Sequence, residues 1–151
     1  MAKYLLDTNV ILRFSNPSDK QNNALTEAVA ILLERSDECY LTAQVLIELW
    51  VVATRPVEVN GLGWSIEQTH SVIEQLLERF PLVEETLHIF PTWLSLVTDN
   101  RVKGKRTHDA RIAAVMLTYK ISYILTLNPN DFKDFSQINT VSPQEILDSI
   151  D

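Results

Sequence analysis

Four polar residues occupy positions where predicted strands end or predicted helices begin. Asp7 directly follows the apolar run Tyr4-Leu5-Leu6, and Asn128 follows a second uncharged run. Asp109 lies in the first turn of a predicted helix, and Glu48 lies near the edge of the apolar face of another. Oxygen ligands without a cysteine or histidine companion favour Mg²⁺ or Mn²⁺. These residue types therefore point to metal-assisted chemistry.

The same residues also have a purely structural interpretation. Asp and Asn are favoured helix caps, and an acid in the first turn of a helix is stabilised by the helix dipole. Asp7 could therefore serve only to start the helix that follows it. A carboxylate at the end of a buried strand, in contrast, points into the crevice where open α/β folds bind ligands. Spacing alone leaves both interpretations open.

The pattern of apolar residues predicts the elements that position these side chains. Predicted strands cover residues 4–6, 39–42, 87–90, 123–127 and 138–141, and helices cover 10–14, 24–34, 43–54, 66–80, 91–100, 107–121 and a segment after Ser142. This alternation predicts an α/β fold with a mainly parallel sheet and helices on both of its faces. The first and fourth strands should flank the point where the strand order reverses. Asp7, Asp109 and Asn128 then converge, and Glu48 joins them if its helix starts at the same edge.

Composition restricts the class of protein. The 151 residues predict one domain, 1–151, with an ordinary hydrophobic fraction of 46%. The net charge of -7 argues against a protein that holds nucleic acid by a general basic surface. A single cysteine, Cys39, excludes an internal disulfide and a multi-cysteine zinc site. No apolar run approaches the ~20 residues of a membrane span, so we expect a cytoplasmic protein with no membrane partner.

Local cations offer a path for a polyanion despite the acidic total. Arg101, Lys103, Lys105 and Arg106 cluster just before Asp109. With Arg13 and His108, Lys103, Lys105 and Arg106 are the candidate residues for binding such a polyanion. The alternatives are solvated surface for the cations and a structural role for His108.

Four segments, taken together, resemble the PIN domain, specifically the VapC-type toxins of bacterial toxin-antitoxin pairs. They are Leu5-Leu6-Asp7-Thr8-Asn9-Val10, Val45-Leu46-Ile47-Glu48-Leu49, Thr107-His108-Asp109-Ala110 and Leu125-Thr126-Leu127-Asn128-Pro129-Asn130-Asp131-Phe132. The resemblance covers essentially the whole chain. It implies a three-layer α/β/α sandwich with strand order 3-2-1-4-5, metal-dependent RNA cleavage, a homodimer, and inhibition by a small cognate antitoxin.

The resemblance also assigns residues. Asp7, Glu48 and Asp109 match the three acids of the family site. The fourth position, often acidic, is Asn128, with Asp131 three residues later, and either could supply the fourth metal ligand. Asn128 carries no charge, which leaves the occupancy of a second metal site open. The side chains expected to support the acids are Thr8, Asn9 and Thr126; the two hydroxyls have an equally plausible reading as turn and cap groups.

The resulting expectation is a toxin endoribonuclease that cleaves RNA phosphodiester bonds by Mg²⁺-activated water. The alternative is a catalytically weak PIN-fold protein that binds RNA or a partner. A hydrolase with Asp7 as nucleophile would need a lysine to neutralise its intermediate, and no clear candidate follows a strand. Leu62 and Trp64 are expected to be exposed in the loop 57–64, where they would contact a second copy or an antitoxin.

Overall fold

The structure, a computed structural model that describes residues 1–149, alternates strands and helices along the chain. The strands are β1 (Lys3–Leu6), β2 (Glu38–Tyr40), β3 (Tyr123–Leu125) and β4 (Asn139–Val141). The helices are α1 (Thr8–Phe14), α2 (Asn22–Glu34), α3 (Ala43–Thr54), α4 (Ile66–Arg79), α5 (Ile89–Asp99), α6 (Arg106–Tyr119) and α7 (Pro143–Asp148), with short 3₁₀ helices at Val57–Val59 and Pro129–Phe132.

All pairings in the four-stranded sheet are parallel, in the order β2-β1-β3-β4. The central strand β1 is apolar along most of its length, and Leu5 and Leu6 are buried. Such a strand must be covered on both faces, which the flanking helices do. Leu6 pairs with Leu125, so β1 and β3 end side by side. The structure confirms the predicted α/β architecture with a central parallel sheet.

The predicted strand at residues 87–90 is wrong. Leu87 lies in a turn with 94% of its surface exposed, and α5 begins at Ile89. Pro91 then occupies the first turn of α5, where a missing amide hydrogen costs nothing. A parallel bridge between Leu41 and Leu82 stands next to β2 instead. The third strand of the expected order 3-2-1-4-5 is therefore reduced to one bridge.

The segment after α3 folds back onto the end of that helix. Arg55 has extended backbone before Pro56, as the sequence predicted, and stops the helix. The amides of residues 62 to 64 then donate to carbonyl oxygens of Arg55 and of the last turn of α3. Leu62 and Trp64 are half-buried against the core, not exposed as expected. This loop caps α3, the helix that carries Glu48.

Helix α6 packs on α5 through small residues. Ala110, Ala113 and Ala114 are completely buried, which allows close approach of the helix to its neighbours. The helix begins at Arg106, so Asp109 lies in its first turn, as predicted. Within residues 1–149, no helix is long and apolar enough to cross a membrane.

We predict that Gly61→Ala destabilises the protein by about 3 kcal/mol, because overpacking against backbone atoms cannot relax easily. A Cβ at this position would lie 1.8 Å from the carbonyl oxygen of Arg55. The control is Gly104→Ala, which meets no atom within 4 Å but has a φ of +64°, and should cost about 1–2 kcal/mol. Chemical denaturation measures both; equal losses would mean that the loop does not pack on α3 in this way.

Candidate active site

A buried carboxylate stands where β1 gives way to α1. Asp7 is 5% exposed, and its Oδ1 accepts a hydrogen bond of 2.8 Å from the Thr8 amide, which makes it the N-cap of α1. Its Oδ2 accepts a hydrogen bond of 2.7 Å from the Thr126 hydroxyl, and the Asn9 amide lies 3.4 Å from the same oxygen. Asp7 is therefore a cap, but it is also tied to the residue that follows β3.

Asn9 and Thr126 connect the two strand ends. The Asn9 side-chain oxygen accepts a hydrogen bond from the Leu127 amide, and the Thr126 hydroxyl accepts one from the Asn128 amide. Thr126 is completely buried. These side chains hold the turn after β3 against the start of α1. Their supporting role in a reaction stays a prediction.

Glu48 is brought to the same edge by α3. One of its carboxylate oxygens accepts a hydrogen bond of 2.6 Å from the Thr8 hydroxyl. The other lies 3.3 Å from the side-chain amide of Gln44, one turn earlier on α3. Glu48 is half-buried, and these two donors compensate for its loss of water. Thr8 thus touches Glu48 with its hydroxyl and Asp7 with its amide.

The charges of nearby acids raise the pKa values of Asp7 and Asp109, which indicates that the acids lie near one another. The pKa of Asp7 is raised to about 6, mainly by burial, while its hydrogen bonds lower it and the charges of Glu48 and Asp131 raise it. The pKa of Asp109 is raised to about 7, first by burial and then by the charges of Asp131, Asp7 and Glu48. The guanidinium of Arg106 opposes this shift in the pKa of Asp109. Elevated carboxyl pKa values in a cluster are typical of functional sites.

Asp131 and Asn128, the two candidates for the fourth position, have different surroundings in the structure. Asp131 lies in the 3₁₀ helix Pro129–Phe132, and its charge acts on both Asp7 and Asp109. Asn128 precedes that helix with an exposed side chain. Asp131 is therefore close enough to Asp7 and Asp109 for its charge to raise the pKa of both.

The candidate RNA-binding cations divide into two groups. Arg13 and Arg106 are engaged by the protein itself: Arg13 contacts the Asn9 carbonyl oxygen and Asp19, and Arg106 forms an ion pair with Asp134. Lys103, Lys105 and His108 are exposed. One nitrogen of Arg106, Nη2, is buried without a partner among the described residues.

Sequence reasoning missed Gln44 and Arg111. Gln44 is 9% exposed and donates to the His108 carbonyl oxygen at 2.7 Å as well as approaching Glu48. Arg111 lies 3.4 Å from the Gln44 side-chain oxygen and forms an ion pair with Glu85. The available signal was the spacing of Gln44 and Glu48, which puts two polar side chains on one face of a helix.

All the side chains of the site that could bind a metal ion would do so through oxygen atoms. Carboxylates of this kind suit a hard divalent cation. Within the part of the chain that the structure describes, no group of three or more acidic, histidine or cysteine side chains is arranged to hold a metal ion as it stands. The acids share an edge and repel one another, and a divalent cation would remove that repulsion.

Comparisons with known proteins agree with this fold. A family model described as the PIN domain matches residues 4–138. The chain is similar to VapBC2 from Rickettsia felis bound to a promoter DNA fragment, with 18% identity, a TM-score of 0.71, and coverage of 93% of this chain and 98% of the other. It is also similar to VapBC-1 from nontypeable Haemophilus influenzae, with 22% identity, a TM-score of 0.63, and coverage of 94% and 98%.

A third similar structure is VapC20 from Mycobacterium tuberculosis, described as a toxin that cleaves the sarcin-ricin loop. It shares 15% identity with a TM-score of 0.62, over 87% of this chain and 95% of the other. A comparison with curated proteins found no match.

We predict that the metal-free protein loses stability as pH rises from about 4 to 7. The folded state holds protons on Asp7 and Asp109 above their ordinary pKa of 3.8, so in this window it binds more protons than the unfolded state. Asp7→Asn should therefore equal wild type near pH 4 and exceed it by about 2 kcal/mol at pH 7.5. Denaturant titrations in EDTA measure the difference.

The matched control for this pH series is Asp99→Asn, at the exposed end of α5. Its difference from wild type should not change with pH. If Asp7→Asn unfolds the protein at every pH, Asp7 acts only as a helix cap and the cluster has no electrostatic cost.

Proposed function

Because the chain belongs to the PIN domain family, we propose that it is a metal-dependent endoribonuclease that cleaves RNA phosphodiester bonds and acts as the toxin of a toxin-antitoxin pair. The observation that carries the proposal is the cluster of Asp7, Glu48, Asp109 and Asp131 at the carboxyl edge of the sheet. Two of these acids have pKa values raised to about 6 and about 7. In a chain with a net charge of -7, four neighbouring acids repel one another and do not stabilise the fold. We therefore attribute their clustering to function.

The donor set fits Mg²⁺ or Mn²⁺. Asp7, Glu48 and Asp109 are the proposed ligands, with Asp131 as the fourth in place of Asn128. When bound, the ion acts as a Lewis acid that stabilises negative charge on phosphoryl and water oxygens. The raised pKa values of Asp7 and Asp109 are those of acids that lack a counterion and should fall when one binds.

The neighbouring side chains keep the acids in place. The hydroxyl of Thr126 fixes the orientation of Asp7, and Thr8 and Gln44 hold the two oxygens of Glu48. A carboxylate with fixed orientation needs no reorganisation when charge develops on a phosphoryl group near it. These residues position the acids and do not themselves touch the reacting atoms.

Cations beside α6 offset the repulsion between an acidic protein and RNA. Lys103 and Lys105 are exposed just before this helix. Arg106 has a buried nitrogen without a protein partner and lies close enough to Asp109 to lower its pKa. We assign the lysines to RNA approach and Arg106 to contact with a phosphate near the acids.

The proposed partners are a second copy of the chain and a small antitoxin. Support comes from the similar structures, two of which are VapBC assemblies. Exposed apolar side chains on α3 and α4, such as Ile47, Val51 and Ile66, provide surface that a partner could cover.

We predict that the purified protein cuts RNA only with Mg²⁺ or Mn²⁺, and that it leaves 3′-hydroxyl and 5′-phosphate ends. The reason is that the site contains no histidine pair to activate the ribose 2′-hydroxyl, so water is the nucleophile. End-group analysis of the products, with and without EDTA, tests this. A 2′,3′-cyclic phosphate, or full activity in EDTA, would contradict the mechanism.

Asp7→Asn should reduce the rate of cleavage by at least about 10²-fold, because it removes charge from the centre of the cluster. Asp99→Asn is again the control, since it removes the same charge far from the site, and it should cleave at the wild-type rate. An Asp7→Asn protein that still cleaves normally would favour the alternative of a PIN-fold binding protein with another nuclease as contaminant.

The double variant Lys103→Ser/Lys105→Ser should raise KM several-fold and leave kcat near wild type. Each lysine that neutralises a phosphate contributes to the dependence of affinity on salt, so the slope of log KM against log salt should fall by about one to two. Lys20→Ser/Lys133→Ser removes the same charge from two other exposed positions and should alter neither value. An unchanged slope in the first variant would make Lys103 and Lys105 ordinary surface.

A further inference from the structure

A cavity of about 350 Å³ opens between the starts of α5 and α6. Its walls include Ile89, Phe90 and Trp93 from α5, His108 and Arg111 from α6, and Glu85 from the preceding loop. Nothing in the proposed chemistry uses this cavity, which we call the α5–α6 pocket.

Two aromatic rings form one wall of the pocket. The Trp93 indole is fixed because its N–H donates to the Thr107 carbonyl oxygen at 2.8 Å. The Phe90 ring lies 5.6 Å from it, centre to centre, and remains 63% exposed. An exposed aromatic ring that is backed by a fixed one is a stacking platform, and any nucleobase can stack on it.

The rim of the pocket carries one carboxylate and one guanidinium. The Arg111 guanidinium donates a hydrogen bond of 2.8 Å to one carboxylate oxygen of Glu85, Oε2. The carboxylate keeps free acceptor positions, and Arg111 reduces its repulsion of an approaching polyanion. The pocket therefore contains a hydrogen-bond acceptor, Glu85, whose negative charge is partly neutralised by Arg111.

A chain of hydrogen bonds connects the pocket to the acids. Arg111 contacts Gln44, and Gln44 contacts both the His108 carbonyl oxygen and Glu48. His108 itself precedes Asp109 in the sequence. An RNA strand whose scissile phosphate lies at the acids would thus have a neighbouring nucleotide within reach of the pocket.

We propose that the α5–α6 pocket binds one unstacked nucleobase of the RNA, and that this base is guanine. This inference rests on the proposed ribonuclease function and names the specificity of the same site. The guanine Watson–Crick edge presents two adjacent N–H donors, N1–H and the N2 amino group, which a carboxylate can accept as a pair. The other three bases each present an acceptor beside their donor there. Glu85 therefore selects guanine, while Phe90 provides stacking for it.

The pocket fits RNA better than a protein side chain. A purely apolar anchor would cover the free acceptor positions of Glu85 without offering a donor, whereas a base contacts the aromatic wall and also donates to Glu85. The hydrogen bonds that link Arg111, Gln44 and Glu48 also connect the pocket with the acids. This connection favours the substrate over a regulatory partner as the occupant.

The test measures binding of four fluorescein-labelled pentaribonucleotides, UUGUU, UUAUU, UUCUU and UUUUU, by anisotropy with Mg²⁺. The full-length Asp7→Asn protein is used so that no RNA is cut. We expect UUGUU to bind about tenfold more tightly than the other three. Glu85→Gln in this background should abolish the preference, and Glu84→Gln, at the exposed neighbouring position outside the pocket, should keep it.

A second pair of variants tests the stacking platform. Phe90→Ala should weaken binding of all four RNAs by about tenfold. Leu94→Ala, which removes another exposed apolar side chain from α5 outside the pocket, should not. Melting temperatures of all variants should match the parent, since Phe90 and Glu85 are exposed; a variant that does not fold is replaced by Phe90→Leu, which keeps apolar volume but not the ring.

The outcomes separate the pocket from the proposed function. If wild type cleaves RNA, an unchanged base preference in Glu85→Gln together with an unchanged RNA affinity in Phe90→Ala would overturn the pocket alone. A guanine preference that needs Glu85, in a protein that never cleaves RNA, would support the pocket and overturn the nuclease. If Phe90→Ala instead turns a dimer into a monomer in sedimentation and leaves RNA affinity unchanged, the pocket is an interface between copies and the base proposal is wrong.

Discussion

The architecture of the site depends on one buried carboxylate. Asp7 ends the central strand β1, caps α1, and accepts a hydrogen bond from the buried hydroxyl of Thr126 after β3. Placing a charged group at 5% exposure costs several kcal/mol unless donors compensate for lost water. The Thr8 amide and the Thr126 hydroxyl are those donors. The Thr8 bond is local to the helix start, whereas the Thr126 bond requires that β1 and β3 pair in the observed register. The geometry of the site therefore depends on the same strand pairing that forms the fold.

Electrostatics explains how an acidic chain could act on a polyanion. The net charge of -7 excludes a generally basic surface, so attraction must be local and must come from a cation held by the acids and from exposed lysines beside α6. Arg106 interacts with two acidic residues: it forms an ion pair with Asp134, and its charge lowers the pKa of Asp109. Under the proposed function, a bound divalent ion would remove the repulsion between the acids and would stabilise the folded protein.

Gln44 links two parts of the molecule that have different proposed tasks. It is nearly buried, and its amide group contacts Glu48, the His108 carbonyl oxygen and Arg111. A buried side-chain amide with these contacts fixes α3 against the start of α6. The side chain of Gln44 therefore contacts both Glu48 and Arg111, and Arg111 is one of the residues that line the α5–α6 pocket.

The sequence alone determined the local features, because each depends on near neighbours. The alternating strands and helices, α3 over residues 43–54, the caps at Ser65 and Ser142, and the acids at element boundaries all follow from apolar period and capping chemistry. Tertiary packing decided the rest. Residues 87–90 have the composition of a strand, but nothing buries Leu87 and the segment joins α5. The proximity of Asp131 to Asp7 and Asp109, the burial of Leu62 and Trp64, and the contacts of Gln44 depend on which distant segments meet. The local sequence pattern carries no information on these contacts.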